Sequence, residues 1–140
     1  MKNLEKNMKG ILKMMDKRYR LSEPVPVLVG ENLLGHIVEM EVAYSQQNRC
    51  NFLLMHVKDS DDGPPWCERV SVNLPNDMAR LDENEFFVKN YSEGEYFYNA
   101  LIEHGVLSDT GDTASSGFVN IPICKFHGEK YERSEAEPST

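Results

Sequence analysis

Apolar residues recur every three or four positions near the start of the chain, at Leu4, Met8, Ile11, Leu12, Met15 and Tyr19. That spacing predicts an amphipathic helix with Lys6, Lys9, Lys13 and Lys17 off the stripe. Gly10 weakens such a helix by about 1 kcal/mol relative to Ala. Pro24 and Pro26 disfavour helix, so Ser22 to Pro26 reads as an extended linker. Val27 to Val29 reads as a short strand and Gly30 to Asn32 as a turn. Period two then takes over. From Leu34 to Tyr44, Val38, Met40, Val42 and Tyr44 alternate with Glu39, Glu41 and Ala43, which predicts a strand with one apolar and one acidic face.

Ser45 to Arg49 is expected to be a hairpin loop. Asn51 to Lys58, apolar through Phe52, Leu53, Leu54, Met55 and Val57, is the next strand and suits a position covered on both faces. Gly63, Pro64 and Pro65 punctuate an acidic loop from Asp59. Trp66 to Leu74 is predicted as the third strand and Glu85 to Lys89 as a short one. Ser92 followed by Glu95 predicts a capping box for a helix running to His104, with Gly105 as its left-handed stop. Ser108 to Gly117 is rich in Gly, Ser, Thr and Asp and reads as a loop. Phe118 to Phe126 reads as a strand in which Pro122 marks an edge or a bulge. Residues 128–140 have no stripe to bury and are expected to be disordered.

These elements predict an α+β fold. Its core would be a mainly antiparallel four- to five-stranded sheet, with an N-terminal amphipathic helix and a second helix before the last strand. A partly closed barrel is the alternative. The expected organisation is a basic helix over 1–20, an acidic body over 25–126 and a tail over 128–140.

Composition narrows the class. With 140 residues the chain suits one domain with a real core. No apolar run approaches about eighteen residues, which argues against a membrane span. The charged, Met-rich start argues against a secretory signal. Three cysteines do not make a disulfide framework, so a reduced, cytoplasmic setting is the simplest expectation.

The net charge of -8 is unevenly distributed. Residues 1–20 carry seven bases against two acids, or +5, and residues 21–140 carry eight bases against twenty-one acids, or -13. An acidic body repels phosphate, so direct nucleic-acid binding by the body is disfavoured and a basic protein surface is the expected partner. Fold-back of the basic segment on the acidic body is favoured over phosphate, lipid or membrane binding.

Specific chemistry is sparse. Cys124 and His127 form a C-x-x-H pair, but no second closely spaced pair completes a zinc site with Cys50, Cys67, His36, His56 or His104. Cys67 and His56 would meet only if their strands formed a hairpin. Counting from Asp59, the twelfth position of a calcium loop is Val70 rather than an acid. Ser115-Ser116-Gly117 lacks a nucleophile elbow. Cys50 and His56, six residues apart in one strand, are separated by about 20 Å. Glu39 and Glu41 share a strand face at about 6.5 Å, with nothing to place them in a dry cleft. No phosphate-binding glycine motif is present. No catalytic residue, metal ligand or cofactor is therefore assigned. Tyr91, Tyr96, Phe97 and Tyr98, beside Glu93 and Glu95, would suit a basic, partly apolar protein surface if exposed.

Three stretches carry a resemblance: Arg69-Val-Ser-Val-Asn-Leu-Pro75, Glu83-Asn-Glu-Phe-Phe-Val-Lys-Asn-Tyr-Ser-Glu93 and Gly117-Phe-Val-Asn-Ile-Pro-Ile-Cys124. Across residues 25–126 the chain resembles an uncharacterised family of small bacterial proteins encoded on plasmids, prophages and conjugative elements. The resemblance assigns no catalytic residue. It implies a context in which small acidic proteins inhibit host defence, as antirestriction and anti-CRISPR proteins do, some by imitating nucleic acid. The +5 segment departs from good mimicry. The leading expectation is thus a non-enzymatic binding protein that engages a basic surface, such as that of a host nuclease or defence protein, through Glu39, Glu41, Asp59, Asp61, Asp62, Glu83 and Glu85. The alternatives are a module dimerising through its N-terminal helix and a small enzyme with an unrecognised site.

Overall fold

The structure is a computed structural model that describes residues 16–47, 50–59 and 64–135. Residues 1–15, which carry most of the expected first helix, and residues 136–140 lie outside the described residues. Strands dominate: they make up 58% of the described chain against 17% helical, with one helix of seven or more residues. The α+β expectation is therefore corrected to a mostly β fold of two antiparallel sheets. The larger sheet has five strands in the order β4-β3-β2-β1-β8. These are β1 (Lys17–Val29), β2 (Asn32–Ser45), β3 (Cys50–Lys58), β4 (Trp66–Arg69) and β8 (Glu132–Glu135). The smaller sheet is ordered β5-β7-β6, from β5 (Glu85–Phe87), β6 (Leu107–Ser116) and β7 (Val119–Phe126). Helix α1 (Gly94–Glu103) lies between β5 and β6 in the chain.

Five corrections have identifiable causes. Residues 17–20 continue no helix: they open β1, where Tyr19 and Leu21 are buried and Arg18 and Arg20 point outward, a period of two. Ser22 to Pro26 is not a linker but an irregular part of β1, with the register against β2 shifting between Arg20 and Val25. The third strand stops at Arg69. Val70 and Ser71 N–H groups both reach the Leu53 carbonyl, and Val72 N–H then bonds the Phe87 carbonyl, so the chain steps from one sheet to the other.

The expected loop over 108–117 is strand β6. Its burial is confined to Leu107 and Ala114, so hydrophobic patterning could not reveal it. Pairing with β7 carries it, and Thr110 Oγ1 donates to the Ile123 carbonyl across a break in the register between Asp109 and Thr113. Pro122 lies in the central strand β7 opposite the end of that break, with its carbonyl accepting from Val88 N–H. The expected tail is ordered through residue 135, where β8 pairs with β1. A short 3-10 turn at Gly128–Lys130 leads into β8. A Cβ at Gly128 would meet Tyr19 Cε1 at 2.7 Å, so only glycine lets the turn lie against that ring.

Other elements follow the sequence closely. Strands β2 and β3 and the Gly30 turn lie where their patterns place them, but a register shift between Ile37 and Glu39 puts Ile37 with Met40 in the core and leaves Val38 in neither cluster, and β3 buries Leu53, Met55 and Val57 on one face rather than both. Gly105, at φ +71°, ends α1 as expected. The start of α1 differs. Ser92 is itself left-handed, Glu93 takes the cap position, and no side chain caps the helix.

The main core joins the inner face of the large sheet to α1 and one face of the small sheet, through Tyr19, Met40, Leu53, Leu101, Leu107 and Phe126. The Tyr19 and Phe126 rings meet edge to face at 4.9 Å. The other face of the small sheet buries a second cluster of Phe87, Ala114, Ile121 and Ile123, under Leu74, Met78 and Leu81. Consecutive residues Phe86 and Phe87 thus serve different clusters.

Candidate functional site

The molecule has three polar regions of note: the outer face of the large sheet, a groove at the edge of the inner face, and the open end of the small sheet. On the outer face, Arg18, Glu41 and Leu54 sit in one cross-strand row, and Arg20, Glu39, His56 and Cys67 in the next. Glu39 and Glu41 share the face that the sequence predicted, but they are not free. Arg18 Nε lies 3.6 Å from Glu39 Oε1 and 3.5 Å from Glu41 Oε1. His56 Nε2 lies 2.7 Å from the same Glu41 oxygen. Glu41 is buried, which an uncompensated carboxylate would not tolerate. Burial raises the Asp16 carboxyl, and the charge and hydrogen bond of Glu41 raise it further. Burial and then Glu41 also push the Cys67 thiol up, which keeps it unreactive. His56 and Cys67 are direct cross-strand partners. Among the described residues, however, no three His, Cys, Asp or Glu groups converge as a metal site would require.

The groove has a volume of about 470 Å³ and is formed where β1, β2 and β3 approach residues 78–86. Tyr19, Val42, Met78, Leu81 and Phe86 give it apolar walls. Asp82, Glu83 and Glu85 line its rim against one lysine, Lys17. Asp82 and Glu83 are exposed. Glu85 Oε1 accepts the Asp82 N–H at 2.9 Å, which fixes the turn that presents the rim. Among the described residues, no cation stands within ion-pair distance of these three carboxylates.

The seven acids proposed from sequence are therefore not brought together. Glu83 and Glu85 belong to the groove, whereas Glu39 and Glu41 lie on the opposite face of the sheet from the groove residues Tyr19 and Val42. Asp59 follows β3, and Asp61 and Asp62 lie outside the described residues. The expected aromatic surface divides as well. Tyr91 and Tyr96 are exposed, while Phe97 and Tyr98 pack on the main core. Tyr98 Oη donates to Asp109 at 3.0 Å, and burial followed by that bond raises its pKa.

A third arrangement was missed by sequence reasoning. Ser108 Oγ is hydrogen-bonded to His127 Nε2, and His127 Nδ1 lies 3.3 Å from Glu129 Oε1. The members come from β6, the end of β7 and the 3-10 turn, in segments read as a loop, a strand end and a tail. Ser108 pairs in register with Lys125, which in turn pairs with Glu85. The Glu129 carboxyl is held low by its own backbone N–H, then by His127 and Lys125. Cys124, the other half of the C-x-x-H pair, turns into the core, where burial pushes its thiol up to about 12. Strand alternation thus separates it from His127, and the only sequence signal for the new grouping was the His127–Glu129 spacing.

Among the described residues no helix is long and apolar enough to cross a membrane. Comparison with protein-family models, with curated proteins and with solved structures gives no match for this chain.

Proposed function

We propose that the protein is a binding module that takes a basic, partly apolar protein surface into the groove rimmed by Asp82, Glu83 and Glu85. The observation that supports this reading is the pairing of apolar walls with three carboxylates against one lysine. Lysine and arginine side chains match such a groove. Their stems bury against apolar surface while their charged heads reach the rim. The surplus negative charge of residues 21–140 steers a cationic partner towards it and repels nucleic acid. Partners of this kind include surfaces that otherwise hold phosphate backbones. The resemblance to proteins of mobile elements extends the proposal to a host nuclease or defence protein. The outer-face acids Glu39 and Glu41 play no part in this contact, because Arg18 and His56 already engage them.

Titration of the full chain with a fluorescent peptide of alternating arginine and leucine tests the reading. Saturable binding that weakens steeply between about 50 and 200 mM salt is expected. Binding that ignores salt, or that survives Glu83→Lys combined with Glu85→Gln, rejects the groove.

A further inference from the structure

We propose that Ser108, His127 and Glu129 form a base-activated serine that accepts an acyl group from small activated esters. The order of contacts carries the inference. A serine is a poor nucleophile unless a base takes its proton, and the base must present a lone pair to Oγ. His127 meets that need through Nε2, the nitrogen bonded to Ser108 Oγ. Its other nitrogen faces the Glu129 carboxylate, which favours the tautomer carrying the proton on Nδ1.

The fold holds the histidine from both sides. Its backbone N–H donates to the Val106 carbonyl at 3.1 Å, and its backbone carbonyl accepts from the Lys130 backbone N–H at 3.1 Å. Ser108 is fixed by its pairing with Lys125. That pairing also places a lysine on the same strand face as the nucleophile.

In the reaction, Ser108 Oγ attacks the ester carbonyl as its proton passes to His127 Nε2. The bond from carbonyl carbon to leaving oxygen breaks, and the leaving group departs as an alcohol or phenol, with His127 returning the proton where it is needed. Water then attacks the acyl-serine with His127 again as base, releasing a carboxylic acid and restoring the hydroxyl. Ser108 is exposed. The acyl group is therefore met in open solvent, and the substrate class is small esters with good leaving groups rather than amides. Glu129 touches only the histidine and is a positioning residue.

Hydrolysis of p-nitrophenyl acetate and labelling by a fluorophosphonate probe test this on the full chain. The label is expected on the Ser108 peptide by mass spectrometry and is lost in Ser108→Ala. His127→Gln should lower hydrolysis and labelling at least about tenfold. Thermal melting of each variant checks that the fold is retained. Glu129→Gln should lower kcat less than His127→Gln does and leave KM unchanged, because His127 loses the carboxylate that orients its ring, and Glu129→Asp should restore part of the loss; a merely structural role for Glu129 would leave kcat in place in a variant that keeps its fold. Label on another residue, equal labelling in His127→Gln, or unchanged hydrolysis in Ser108→Ala would overturn the proposal. None of these outcomes bears on peptide capture in the groove.

Discussion

Two acid-bearing regions of this molecule differ in what surrounds their carboxylates. On the outer face of the large sheet, Glu41 is buried and held by Arg18 and His56 from the neighbouring strands. At the groove, Asp82 and Glu83 stand exposed beside apolar walls, with Lys17 as the lone lining base. The first region uses its charge to tie β1, β2 and β3 together; the second leaves charge for a partner. Net charge therefore says little about where a binding surface lies. Arg18 belongs to the same basic segment that appeared to dilute an acidic field, and the fold spends it on one acid pair.

The difference is broken most directly at Glu41. Glu41→Ala should destabilise the protein by about 2–3 kcal/mol in urea unfolding, since it leaves His56 and Arg18 without their shared partner. The partial exposure of Arg18 keeps the loss towards the lower end of what fully buried pairs show. A loss below about 0.5 kcal/mol would mean that the outer-face acids are as dispensable as the rim acids.

The rim should respond in the opposite way. Glu83→Lys combined with Glu85→Gln is expected to weaken capture of the arginine–leucine peptide about tenfold, equivalent to roughly 1.4 kcal/mol. Unfolding stability should stay within about 0.5 kcal/mol of the parent. Glutamine at 85 retains an acceptor for the Asp82 N–H, so the turn is kept. Equal losses of stability and binding would erase the contrast between the regions.

How much of this was legible in the chain depends on what carried each element. Strands β2 and β3 were readable because apolar and acidic residues alternate in the sequence of β2 and apolar residues fill β3, although the register shift between Ile37 and Glu39 breaks that alternation in the fold. Strand β6 was not, because an edge strand with two buried side chains shows almost no hydrophobic period and is held by backbone pairing. Residues 17–20 were misread since Tyr19 fits a helical stripe and a strand face equally well; only the contacts with β2 and β8 decide between them. For the site, Glu83 and Glu85 stood in the sequence only among seven candidate partner contacts, and their separation from Glu39 and Glu41 follows from sheet parity and tertiary packing. The Ser108–His127 contact joins residues nineteen apart across a hairpin that the sequence did not reveal.

A smaller effect sharpens the outer-face side. The Asp16 carboxyl is raised above its ordinary 3.8 by burial and by Glu41. The folded state thus holds this proton more tightly than the unfolded chain does. Its stabilising contribution is complete below pH 3.8 and is lost as pH rises through the folded value. Asp16→Asn keeps a donor towards Glu41 at every pH. The variant should melt higher than the parent near neutral pH, with the gain closing as the medium becomes more acidic than the ordinary carboxyl value. A gain independent of pH would place its cause outside the Asp16–Glu41 contact.

The smallest effect is expected at Phe118, and it guards the groove reading against an apolar rival. Its side chain is fully exposed at the turn between β6 and β7, and it belongs to neither hydrophobic cluster. Phe118→Ser removes no buried contact, so stability should change by less than about 0.5 kcal/mol. Peptide affinity should also be unchanged, because the groove walls come from β1, β2 and residues 78–86 rather than from this hairpin tip. If Phe118→Ser abolished capture while the rim variant retained it, the partner would be held by an exposed aromatic and not by carboxylates. Salt would then cease to govern binding. The distinction between acids that build the fold and acids that meet a partner would rest on the outer face alone.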